Sequence, residues 1–377
     1  MDTYTETKTT GYFNRIGDSI KGCVFGLILI PIAFITLYIN EGRYDLSKLA
    51  RQTVEISSIE VANKDLLQGA PVSVTGNIST SEMLGDNLYL KPINVIALGR
   101  VVEMYSWVED SKSDSHSNTG GSETTSTTYN YSKKWVVTPQ DSSKFKQVAE
   151  HFNPEKSLQN VEYQTSAAKI GVYKVNPQFA TLPEFQDLFL TDEDLIRSAD
   201  YSLASNKYLF IKKGKAGTIE NPDIGDLRIK YVAFKPQSNV TVMGSLNQDE
   251  VNPYVDSDGH RLYRIFYGNR EDSIKAMHTE YTWSLWALRL LGFLLIWVGF
   301  SAIFGPFSVI LDFFPILGSL GRFGLILLTF VTSLILSLLV IFLSIILHNP
   351  IFMVAIVGLV MLGFGTVIYF KRANTAN

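Results

Sequence analysis

The chain of 377 residues has one cysteine, Cys23, so no disulfide joins any two of its parts, and cysteine usage says nothing of redox compartment. Neither sign of charge dominates: 33 Lys and Arg stand against 36 Asp and Glu, with no clustered basic face, which speaks against a nucleic-acid partner. The histidines of the central block, His116, His151, His260 and His278, are too scattered for H-x-x-x-H metal spacing. No G-x-S-x-G elbow nominates a nucleophile. Asp256-Ser-Asp258-Gly259-His260 resembles the start of a calcium loop, but Tyr267 holds the place of the bidentate glutamate, so an Asp-Gly hairpin turn is the better reading. These absences leave no catalytic, metal or cofactor constellation, and the expectation is a protein that is not an enzyme and carries no cofactor.

Long apolar runs are what the chain does have. A hydrocarbon layer about 30 Å thick is crossed by about 20 apolar residues in a helix. Four runs meet that length, and they predict spans at 20–39, 283–304, 323–347 and 351–370. The first carries no charge from Gly22 to Ile39 and lacks a small-x-small cleavage site, so it reads as a retained helix rather than a signal peptide. The remaining boundaries follow: a tail at 1–19, a folded block at 40–282, an interfacial connection with a short helix at 305–322, and a tail at 371–377. Arg15 and Lys21 precede the first span, Arg322 lies between the second and third, and Lys371 and Arg372 follow the fourth. That distribution places both termini in the cytoplasm and the central block on the far side of the membrane.

Residues 44–282 mix alternating strands with a few helices and read as an α+β domain. Val72-Ser-Val74-Thr-Gly76-Asn-Ile78 and Val240-Thr-Val242-Met-Gly244-Ser-Leu246 share one pattern, which raises the question of duplicated halves. Ile93 to Val108 and Leu227 to Phe234 are strand candidates, while Thr181 to Glu184 and Thr191 to Asp194 resemble capped helix starts. Between Ser111 and Thr128 the composition is nearly all Ser, Thr, Gly, Asp and Asn, which buries no core and suits a mobile loop or hairpin tip. Glu103 to Asp110 reads as a strand, with Met104, Ser106 and Val108 on one face and Glu103, Tyr105 and Trp107 on the other.

Within the spans, Gly22-x-x-x-Gly26 permits close approach of two helices, and pairing with a second copy is one use of it. Thr329, Ser333, Ser337 and Ser344 share a face of the third span and form a packing stripe; a pore is not implied. Glu41 leaves the first span on the side where Arg289 enters the second, so an interfacial ion pair is predicted.

Several phrases together resemble the transmembrane protein 43 (LUMA) family. They are Asn40-Glu41-Gly42-Arg43; Val102-Glu103-Met104-Tyr105 through Trp107-Val108-Glu109; Tyr129, Tyr131 and Trp135; His151 with Asn153-Pro154; Gly225-Asp226-Leu227-Arg228; Trp286, Leu288-Arg289 and Gly292; and Asp312 with Phe314-Pro315. The resemblance spans nearly the whole chain and is weak over Ser111 to Thr128 and Pro236 to Asp256. It implies a non-enzymatic, multi-pass membrane scaffold that self-associates among membrane lipids and organises other membrane proteins. Animal relatives imply the endoplasmic reticulum and inner nuclear membrane, with lamins and emerin as partners. Bacterial members also exist; for one of them lamin partners are impossible, the block is periplasmic and the membrane is the inner one. An accessory subunit of a transporter or channel is the alternative reading, suggested by the Ser/Thr stripe.

Overall fold

The computed structural model describes residues 2–59, 67–197, 200–214, 217–313 and 315–349. The predicted fourth span, 351–370, and the tail after it lie outside the described residues. The chain divides into two units, one of Met1–Glu6, Asp45–Ser113 and Thr127–Thr279, the other of Thr7–Tyr44, Asp114–Ser126 and Glu280–Asn377.

The first unit is built of β-strands. An eight-stranded sheet runs in the order β1 (Asp2–Thr10), β5 (Glu123–Val136), β4 (Ala97–Ser117), β12 (Leu227–Phe234), β11 (Tyr208–Ile211), β10 (Tyr201–Ala204). On it β6 (Val161–Gln164) also pairs β4, and β9 (Gln186–Leu188) also pairs β12. β12 shows why the sequence folds this way: Leu227, Ile229, Tyr231 and Ala233 alternate inward and are buried, while Arg228, Lys230 and Val232 are half-buried. With Leu98, Val102 and Met104 of β4 they form one apolar core.

A second sheet contains β2 (Val54–Ser57), β3 (Pro71–Ser79), β7 (Ala168–Ile170), β8 (Tyr173–Val175), β13 (Gln237–Asn247), β14 (Glu250–Asn252) and β17 (Arg264–Tyr267). Because β13 pairs β3 as well as β14, the strands β3, β13, β14, β8 and β7 close into a ring. Val74, Ile78, Ile170, Tyr173, Val242 and Val251 fill it, and a cavity of about 570 Å³ opens beside Lys169, Lys174 and Asn252. The two look-alike heptads are the paired strands β3 and β13, with Val74 opposite Val242. Their flanks differ, since β2 joins β3 in parallel whereas β17 joins β13 antiparallel, so the likeness reflects equivalent places in one ring rather than duplicated halves.

The expected α+β class is corrected to a β-rich domain. Thr181 bridges Arg264 and joins its ladder, accepting from Ile265 N–H and donating to the Tyr263 carbonyl, with Pro183 two residues on. The Thr191–Asp194 capping pair forms, at 2.7 and 2.8 Å, but closes a single turn beside strand β9. Asp256 to His260 is the turn of a hairpin between β15 (Tyr254–Val255) and β16 (Arg261–Leu262), as its Asp-Gly pair demands.

The second unit holds helices α1 (Tyr12–Glu41), α3 (Arg270–Ile303, from Glu280 onward), α4 (Gly305–Leu311) and α5 (Pro315–His348). The short helix α2 (Leu46–Arg51) belongs to the first unit. Among the described residues, three helical stretches are long and apolar enough to cross a membrane: Tyr12–Arg51, which is α1 with the residues that follow it through α2, then Arg270–Ile303, and the Gly321–His348 part of α5. Each extends past its apolar run because backbone bonding continues into polar residues. α3 begins 13 residues before the predicted 283, and α5 begins at Pro315, which shortens the predicted connection to α4 and a few residues. Residues 114–126, expected within the central block, belong to the helical unit, because their polar groups answer the arginines described below.

Candidate functional site

The residues that carry the family resemblance gather at four polar joints. The first is on β4 and β12, where Leu227 lies opposite Met104 and Arg228 opposite Glu103. Arg228 Nε donates to Glu103 Oε2 at 2.5 Å, and its guanidinium lies 4.8 Å from the Trp135 ring centre and 4.6 Å from that of Tyr208. Asp226 is fully buried and accepts from the Lys213 and Asp223 N–H groups at 2.8 Å each, closing the turn that enters β12. Gly225 there has φ +96°, and a Cβ would meet Lys213 and Pro154, so glycine is required. Tyr105 exchanges backbone hydrogen bonds with Gly225 and Asp226, both at 2.9 Å.

The second joint surrounds His151, whose ring is stacked on Tyr131 at 3.7 Å and edge-on to Trp107 at 4.5 Å. Tyr131 donates to Glu109 Oε2 at 2.6 Å, and burial together with that bond pushes its phenol up to about 12. Asn153 accepts from Trp107 N–H at 2.8 Å and donates to the Trp107 carbonyl at 2.9 Å. Glu103, Met104 and Tyr105 are thus brought together with Gly225, Asp226, Leu227 and Arg228, while Trp107 meets the Asn153 phrase.

The third joint is in the helical unit and is the predicted ion pair. Arg289 donates through Nε to Glu41 Oε1 at 2.8 Å and through Nη2 to Oε2 at 2.7 Å, with the Glu41 side chain 3% exposed. The bidentate fork fixes the two helices in register. Trp286 lies 4.7 Å from the Arg289 guanidinium, and Asn40 donates to the Leu285 carbonyl at 3.0 Å.

The fourth joint was not foreseen. Asp312, its side chain 1% exposed, accepts from Arg15 at 2.6 Å and from Arg322 at 2.9 Å. Arg15 also reaches Glu123 at 2.8 Å and the Gly121 carbonyl, and Ser117 donates to Asp312 at 3.1 Å. The tip of the β4–β5 hairpin is therefore bonded to the start of α1 and to the connection after α4. Arg15 and Arg322 had been legible only as flanking charges, and nothing local joins them to an aspartate 297 residues from Arg15. A further buried cluster, also unforeseen, lies on β4 and β12: Asp86 accepts from the N–H groups of Leu88, Tyr89 and Leu90, from Arg100 at 3.0 Å and from the Tyr231 hydroxyl. Burial alone would push the Asp86 carboxyl up; these hydrogen bonds outweigh it and hold the group below the usual carboxylate range.

The packing stripe is where the spacing placed it: Thr329, Ser333, Ser337 and Ser344 are all buried on α5. Three of the hydroxyls donate to carbonyls of their own helix, at Ile326, Leu334 and Val340. The Gly22/Gly26 expectation is corrected in part. A Cβ on Gly26 would strike the Gly299 carbonyl oxygen, so this glycine serves an approach of α1 and α3 within one chain, whereas Gly22 faces open space.

Three apolar helices and a β-rich domain define an integral membrane protein of several spans. The family model described as Transmembrane protein 43 matches residues 104–350, and the chain belongs to that family. Transmembrane protein 43 of Rattus norvegicus is 25% identical over 347 residues, covering 85% of this chain and 83% of the relative. The Homo sapiens protein is 25% identical over 378 residues, covering 93% and 90%. The Drosophila melanogaster homolog is 26% identical over 295 residues, covering 73% and 74%. No solved structure matches the chain.

Proposed function

We propose that the protein is a non-enzymatic membrane scaffold that associates with copies of itself and holds other membrane proteins beside it. The observation that carries this reading is the use made of the family phrases. They form joints between elements, as in Arg228–Glu103, Asn153–Trp107 and Arg289–Glu41. Such joints stiffen a frame, which is what a scaffold needs. The basic flanks of the spans favour cytoplasmic termini, but β1, ahead of the first span, pairs β5 of the central block, so the expectation that the N-terminal tail and that block lie on opposite sides of the membrane is not kept. The accessory-subunit alternative drew on the Ser/Thr stripe, and the burial of those four side chains favours packing within the chain.

Chemical crosslinking in native membranes, followed by identification of what is captured, tests the proposal. Homo-oligomers carrying further membrane proteins are expected. Recovery as one copy per transporter or channel would favour the alternative.

A further inference from the structure

We propose that the outer face of the β-ring is a binding site for a phosphoethanolamine group, a phosphodiester that carries a primary ammonium. Four strands set four side chains level on that face. Ser79 of β3 stands opposite Lys169 of β7, Lys169 opposite Lys174 of β8, and Lys174 beside Glu250 of β14. All four are exposed, while their chain neighbours Ile78, Ala168, Val175 and Val251 turn into the core, so the row faces away from it. The row borders the cavity of about 570 Å³, within the range of about 300–1,000 Å³ that small-molecule sites occupy.

The pairing at the middle of the row works against the fold. Like charges directly opposite each other on neighbouring strands destabilise a sheet, and here two lysines face each other across a tight hairpin closed by Gly171 and Val172. One of them is answered: Lys174 reaches Asp249 at 3.1 Å. Lys169 has no acceptor among the described residues, and at the far end of the row Glu250 has no basic partner among them. The carboxylate of Glu82 comes near the cavity through Ser166 and Ala167, whose N–H and hydroxyl groups occupy it at 2.7–3.0 Å. A site with one open cation and one open anion selects a ligand that carries both charges.

Lys169 and Glu250 lie two strand spacings apart, roughly 10 Å between Cα atoms. A phosphate and an ammonium separated by two methylenes cover the middle of that gap, and charge-assisted hydrogen bonds of about 2.7–2.9 Å close each end. The single open positive charge matches a phosphodiester, which carries one negative charge, better than a phosphomonoester, which approaches two. Ser79, one strand beyond Lys169, offers a hydroxyl to the phosphate. Asn252, two residues beyond Glu250 on the same face of β14, offers an amide oxygen beside the ammonium. Those acceptors suit a primary ammonium with N–H donors. A choline head has none and is held by a cage of aromatic rings, whereas Phe179, 61% exposed, is the one ring bordering this cavity among the described residues. That ring takes the carbon side of the ligand. Phosphoethanolamine arrives either as the head of a membrane lipid or as free glycerophosphoethanolamine, and the row offers the same contacts to both.

Calorimetric titration of the full-length protein, held in an uncharged maltoside detergent, with glycerophosphoethanolamine tests the site. Saturable binding at millimolar concentration is expected. Glycerophosphoglycerol, the diester without an ammonium, and glycerophosphocholine, which lacks N–H donors, should each bind about tenfold more weakly, the factor that one lost polar contact carries. No saturation by glycerophosphoethanolamine would overturn the proposal. Equal binding of glycerophosphoglycerol would do so too, by reducing the site to a general anion patch, and equal binding of glycerophosphocholine would remove the primary ammonium from it. Lys169→Ala and Glu250→Gln should each weaken binding by about tenfold. Because Lys169→Ala relieves the opposition to Lys174, its denaturation midpoint should hold or rise, which separates lost binding from lost folding. Unchanged binding in both variants would again overturn the site. Native mass spectrometry of the same preparation distinguishes the two sources. Phosphatidylethanolamine retained by the protein and lost from Lys169→Ala assigns the site to the membrane lipid, whereas binding of the free diester with no retained lipid assigns it to the soluble form.

Discussion

Along the single strand β4, residues 97–108 and residues 109–117 solve different problems. The first stretch is buried throughout from Ala97 to Arg100 and then alternates fully buried Val102, Met104 and Ser106 with half-buried neighbours, and its backbone is paired by β12 and β6. The second carries Ser, Asp and Lys on both faces and buries none of them. Hydrogen bonding holds both stretches as strand, so the ladder alone does not decide whether a strand becomes core. Side-chain pattern decides that, and the bonds from Asn153 to Trp107 mark where the change falls.

Five substitutions at four positions sharpen this contrast, and unfolding of the purified protein followed by denaturant reads each of them. Asp86→Ala strands Arg100 in the interior beside the first stretch and should cost about 3–5 kcal/mol. The same carboxyl gives a pH signature. Its folded value lies below its unfolded one, so its contribution is complete above about pH 4 and fades as the solution is acidified below that. Asp86→Asn should flatten the acid limb of the stability curve; an unchanged limb would assign it to other carboxylates. Met104→Ala opens a cavity in the same core and should cost about 2–5 kcal/mol. Asn153→Ala uncaps Trp107 at the border between the stretches, for about 1–3 kcal/mol. Ser113→Ala, in the second stretch, should change stability by no more than about 0.5 kcal/mol. A loss at Ser113 as large as that at Met104 would erase the distinction.

Much of the helical unit was legible because hydrophobic length is a local property. The Glu41–Arg289 pair was legible too, since each residue closes or opens a span on the same side. The quartet of Arg15, Glu123, Asp312 and Arg322 was not, because its members are far apart in sequence and look like ordinary flanking charges. The β-rich domain was misread as α+β at Thr181 and Thr191, where correct capping chemistry produced a turn instead of a helix. Local hydrogen bonds start an element, but the strand alongside decides whether it continues. Met104 and Arg228 were found through a family phrase, whereas Asp86 carried no pattern that separated it from a surface turn.

The meeting of Gly26 with the Gly299 carbonyl has a further consequence. Two helices that touch backbone to backbone have their spacing set by missing atoms, and a single methyl group at either position acts as a wedge. Alanine at residue 26 would therefore alter the distance between the two cylinders everywhere along their length, with the Arg289 fork as the first place to register the misfit.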